Sequence, residues 1–125
     1  MKSYGIDKYA IVATAEEIHL EEFYHVGYTV IENAVGSSEL GRLREELDRI
    51  YQLQEDEFGK ERLARIEELN VVRMPLAYSD LFAKLAVRTG LMGYVEKILG
   101  HFFVLHLQNG IINKPNVEHH QSSWH

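Results

Sequence analysis

His101-Phe102-Phe103-Val104-Leu105-His106-Leu107-Gln108 is the stretch on which the fold reading turns. Its aromatic and branched residues suit a pleated, half-buried surface, so a strand is predicted here. Ile111-Ile112-Asn113 can continue it past Gly110 through a bulge, giving strand structure near residues 102–113. Nothing earlier in the chain looks comparable. The preceding residues read as helices with short extended pieces, so the class is α+β with the longer strands last. Strands placed so late have no later partners here. Their edges call for more sequence or a second molecule, and that exposure invites self-association.

Working back towards the start, Val95, Ile98 and Leu99 carry an apolar face up to Gly100, and a helix is expected over residues 90–99. Another is expected over 79–88, capped by Ser79 or Asp80 and carrying Leu81, Phe82, Leu85 and Ala86. Asn70-Val71-Val72-Arg73-Met74-Pro75 reads as an extended passage, because Pro75 pushes Met74 out of the helical region. The charged stretch from Gln52 to Glu68, interrupted by Gly59, is compatible with helix, loop or a mobile segment. Leu40, Leu43, Leu47 and Ile50 step by three and four and form one buried stripe of a helix over 37–54, capped by Ser37 or Ser38. Tyr28-Thr29-Val30-Ile31 has strand composition, giving a short strand near 28–32. Thr14-Ala15-Glu16-Glu17 has the capping-box spacing, which predicts a helix over 15–26 closed by Gly27. Ile18, Phe23 and Val26 are its expected inward contacts.

The chain has 125 residues and a net charge of −6, enough for one domain and too acidic for a nucleic-acid groove or an anionic membrane surface. It contains no cysteine, so disulfides and thiolate metal sites are excluded. No apolar run approaches the roughly 18 residues of a membrane span, and the start lacks a signal-peptide core. The chain therefore reads as soluble and cytoplasmic. Seven histidines are present. His19 and His25 fall on a helix surface, His101 and His106 read as packed or edge positions in a strand, and the pair His119-His120 reads as loop.

Several pieces in order resemble the phytanoyl-CoA dioxygenase family. Phe23-Tyr24-His25-Val26-Gly27-Tyr28-Thr29-Val30-Ile31-Glu32-Asn33 is similar to the family's entry element. Ser38-Glu39-Leu40 and the charged helix after it resemble the next element. Val95-Glu96-Lys97-Ile98-Leu99-Gly100 resembles a family helix end, and Gln108 with Asn113 and Lys114 resembles the strand lining the co-substrate pocket. Trp124-His125 resembles the opening of the metal motif.

The resemblance implies a non-haem oxygenase using Fe(II) and 2-oxoglutarate to hydroxylate a small organic substrate. Such enzymes hold iron with two histidines and a carboxylate on one face. It implies that His125 is the first iron ligand, that Asn113 or Lys114 contacts 2-oxoglutarate, and that Gln108 contacts substrate or co-substrate. Trp124 would wall the pocket. No residue of the chain is assigned a catalytic role of its own. The implied fold is the helical and edge portion of a double-stranded β-helix (jelly-roll, cupin-like), so residues 1–125 are expected to form a single partial domain. The acidic partner two positions past His125, the distal histidine and the arginine clamping the co-substrate would all lie further on. On this reading the 125-residue chain is expected to be truncated and inactive alone. The missing acidic position also leaves hydroxylation and halogenation undistinguished. The rival reading is a non-catalytic α+β interaction module or pseudo-enzyme remnant that recruits partners by strand addition.

Overall fold

The computed structural model describes residues 14–115, and the chain divides into two units, one ending at Ala34 and one beginning at Val35. In the first unit the capping box forms as the spacing predicts. Thr14 Oγ1 accepts from the Glu17 amide at 3.2 Å, while the Glu17 carboxylate takes the Thr14 amide at 2.7 Å. These bonds start α1, Ala15–Val26. Gly27 ends it in the left-handed region at φ 92°, where its N–H reaches Phe23 O at 2.8 Å.

Two expectations for this unit are corrected. No residue of α1 is buried, and the proposed inward contacts Ile18 and Val26 are 54% and 59% exposed. The strand near 28–32 does not form. Tyr28 and Val30 are exposed, and no ladder partner exists among the described residues of the unit. Thr29 bonds instead to side chains of α1, donating to Glu22 Oε2 at 2.6 Å and meeting His19 Nδ1 at 2.8 Å.

The second unit is organised on α2, Ser37–Phe58. Its cap is Gly36, without a side-chain hydrogen bond, and not Ser37 or Ser38. Serine at the first helical positions leaves the capping geometry to the glycine backbone. The helix runs past residue 54 through the charged stretch and stops at Gly59, which takes φ 80°. α3, Lys60–Arg65, follows directly. Of the expected stripe, Leu43 and Ile50 are buried, Leu47 is half-buried, and Leu40 is on the rim at 39% exposure.

The extended passage becomes β1, Val71–Arg73. Pro75 then begins a short helix, α4 (Pro75–Tyr78), so the expected 79–88 helix is preceded by one more turn. Ser79 caps α5, Asp80–Ala86, its hydroxyl accepting from the Leu81 amide at 3.4 Å. α6 spans Thr89–Leu99.

The late strand is the largest correction. Only Asn109–Ile111 (β2) pairs, antiparallel to β1, with Val72 opposite Gly110. Residues 102–108 form no ladder, and Phe102 and Val104 are 99% and 86% exposed. Composition marks a segment that fits a sheet, but a ladder requires a partner, and β1 has only three residues. Two short strands among the described residues do not make a double-stranded β-helix. No described helix is long and apolar enough to cross a membrane.

Leu43, Ile50, Tyr51, Val72 and Phe82 form the core, with Leu47, Leu76 and Ile112 packed on it. Leu47 leaves no room at Gly110, where an added Cβ would lie 2.4 Å from Leu47 Cδ1. Gly110→Ala should therefore destabilise the fold by about 1–3 kcal/mol through overpacking. Denaturant melts of the single variants and of the Gly110→Ala/Leu47→Ala pair check this. The pair should be more stable than the sum of the two losses, and strict additivity would mean the two groups do not meet.

Candidate functional site

The β1–β2 ladder places two glutamines with opposite circumstances. Gln54 comes from the last turns of α2 and is only 3% exposed. It spans the main chain of Arg73, accepting from the Arg73 amide at 3.0 Å and donating to its carbonyl at 2.7 Å. Both ends of the carboxamide are thereby satisfied at the edge of the sheet. Gln108 lies just before β2, and its carbonyl accepts from the Met74 amide at 3.0 Å. Its side-chain Nε2 donates to Phe82 O at 3.3 Å. Its Oε1 is buried and meets no donor among the described residues. An unmatched buried oxygen is costly, which makes this one a potential ligand contact.

Gln108 borders an apolar cleft of about 580 Å³ whose walls include Leu85, Leu91, Val95, Phe103 and Val104. Asn113 and Lys114 follow β2, are exposed, and do not line that cleft. The structure thus separates Gln108 from the two residues paired with it in the sequence. Trp124 and His125, with the pair His119-His120, lie outside the described residues. His101 and His106 are exposed rather than packed, and His101 Nδ1 meets Glu96 Oε1 at 2.6 Å.

A second concavity lies against β1. Its lining includes Gln54, Phe58, Arg62, Glu68, Arg73 and Met74, and its volume is about 370 Å³. Arg73 reaches it as an occupied cation. One guanidinium nitrogen pairs with Glu68, and the other donates to Asn109 Oδ1 at 2.8 Å when the amide is oriented to satisfy both its ends. The Glu68 carboxylate accordingly raises the Arg73 pKa above its ordinary value. Met74 adopts φ 47°, ψ 53°, a left-handed conformation costing a non-glycine residue roughly 1–2 kcal/mol. Nearby, burial raises the Tyr51 phenol pKa, while its oxygen accepts the Asn70 amide at 3.3 Å.

No three histidine, aspartate or glutamate side chains among the described residues are grouped to hold a metal ion. These residues do not by themselves compose an iron site. What they define is an α+β scaffold, with a glutamine-bordered apolar cleft and an arginine-bearing pocket on its helical side.

The chain belongs to the phytanoyl-CoA dioxygenase (PhyH) family, whose sequence profile matches residues 23–125. It is similar to two uncharacterised proteins, one from Mycobacterium bovis and one from Mycobacterium tuberculosis, each 39% identical over 90 residues. That stretch covers 70% of this chain and 32% of either relative, so the chain matches about a third of their length. No solved structure shows significant similarity.

The two glutamines should respond differently to substitution. Gln54→Leu strands the part-buried Arg73 amide and carbonyl and should cost about 2 kcal/mol. Gln108→Leu gives up one long hydrogen bond but removes the unmatched oxygen, so its effect should stay within about 1 kcal/mol. Urea melts of both variants decide the matter. A larger loss for Gln108→Leu than for Gln54→Leu would reverse the assignment of structural and ligand-facing roles.

Proposed function

We propose that this chain supplies the opening part of an Fe(II)- and 2-oxoglutarate-dependent oxygenase that hydroxylates a small organic substrate. The family match carries the proposal, because it runs through Gln108, Asn113, Lys114, Trp124 and His125. In this reading His125 is the first iron ligand, its neutral imidazole oriented by a neighbouring acceptor. Lys114 or Asn113 donates to a carboxylate of 2-oxoglutarate, the pairing a dianion requires. Gln108 offers its unmatched Oε1 to a donor on the substrate, and the apolar cleft beside it holds the substrate body. Trp124 excludes water. When bound, iron and 2-oxoglutarate supply the oxidising power, and succinate and carbon dioxide leave.

The rest of the site would lie on a longer polypeptide. The relatives are about three times the matched length, which leaves room for the carboxylate ligand, the second histidine and the strands of a jelly roll. Those strands would also cover the edge presented by residues 102–108, where Phe102 and Val104 are exposed.

Succinate release from 2-oxoglutarate by the complete polypeptide is the test. His125→Ala removes an iron ligand, so turnover should fall by orders of magnitude with the melting curve unchanged. Lys114→Ala or Asn113→Ala should chiefly weaken 2-oxoglutarate, by about 1.5–3 kcal/mol for one charge-assisted bond. Wild-type succinate production by His125→Ala would defeat the assignment. Absence of turnover in the unmodified polypeptide, with 2-oxoglutarate and iron unbound, would favour the non-catalytic module.

A further inference from the structure

The pocket against β1 contains none of the residues assigned above to iron, 2-oxoglutarate or the apolar cleft. Four large apolar side chains around it stay exposed: Phe58 at 40%, Ile66 at 52%, Met74 at 52% and Tyr78 at 40%. Scattered exposed apolar residues need no explanation, but four around one concavity do.

Its cations differ in availability. Arg73 is already taken by Glu68 and Asn109. Arg62 is exposed, and its guanidinium carbon sits 5.8 Å from the centroid of the Phe58 ring. Stacking on a ring face orients a guanidinium without using its N–H donors. Among the described residues no carboxylate pairs with Arg62. The lining therefore holds two arginines against one glutamate, a local surplus of one positive charge on a chain of net charge −6. The walls are fixed in advance, since Gln54 pins the Arg73 main chain and Met74 is held in the left-handed region.

We propose that this pocket binds a small monocarboxylate with an apolar body. Its carboxylate pairs with the Arg62 fork, and its body lies among Phe58, Ile66, Met74 and Tyr78. A single free guanidinium beside the Glu68 carboxylate suits one negative charge and disfavours two. A volume of about 370 Å³ leaves room for such a ligand. The site is independent of iron and of turnover.

Calorimetric titration of the full chain with hexanoate, and with hexan-1-ol and hexylammonium as charge controls, tests this. Hexanoate should bind one per chain, about tenfold or more tighter than hexan-1-ol, the difference one charge-assisted pair provides. Hexylammonium and 2-oxoglutarate should not compete. Arg62→Gln should erase the advantage of hexanoate over hexan-1-ol without moving the melting temperature, because Arg62 is exposed. Ile66→Asp, which places a carboxylate on the exposed rim, should abolish hexanoate binding in a folded chain. Equal affinity for hexanoate and hexan-1-ol, no binding of hexanoate, or full binding by Arg62→Gln would each overturn the proposal.

Discussion

Gln54 bonds both ends of its carboxamide to the main chain of Arg73, and much of the second unit follows from that attachment. A short two-stranded ladder is marginal in water unless something packs on it. Here α2 covers it from one side, with Ile50 and Val72 both at 0% exposure in a common core. The carboxamide replaces the strand partner that the Arg73 edge lacks, so the ladder can end without unpaired buried amides. Leu47 against Gly110 sets how closely the helix approaches β2. Together these contacts fix where the chain emerges at the two ends of the ladder: Met74 with α4 beside Gln108 at one, Asn70 and Asn113 at the other.

Two differently furnished concavities result. The cleft beside Gln108 is almost wholly apolar, with one buried oxygen lacking a donor among the described residues. The pocket beside Arg73 carries charge, stacked aromatic surface and a strained backbone residue. In the oxygenase proposed above, the first cleft would give the substrate body an apolar surrounding. The second has the character of a recognition site for a charged group.

The N-terminal helix was legible because its signals are local. Thr14, Glu17 and Gly27 act within a few residues of one another, and α1 has the expected bounds. The stripe Leu43, Leu47, Ile50 located α2, and Gln54 continues the same spacing, a polar residue on a buried face that signals an interior hydrogen-bonding role. Strand readings fared worse because they depend on distant partners. Residues 28–31 and 102–108 have the right composition and no ladder, while Asn109-Gly110-Ile111, less strand-like by composition, pairs because β1 lies beside it. Among the candidate site residues, Gln108 proved to border a cleft, a result its sequence alone could only suggest. Asn113, read as the end of the late strand, and Lys114 lie past β2 and face solvent. The Arg62 pocket escaped the sequence because it is assembled from α2, α3, β1 and α4, and no linear pattern links them.

We propose His125 as an iron ligand in a polypeptide built on this scaffold. Anomalous diffraction at the iron edge, from crystals of the complete polypeptide grown with Fe(II) under nitrogen, tests it most directly. One strong peak is expected at coordination distance from a ring nitrogen of His125, with Trp124 beside it. A peak on His119 or His120 with none at His125, or no ordered iron in crystals that bind 2-oxoglutarate, would contradict it.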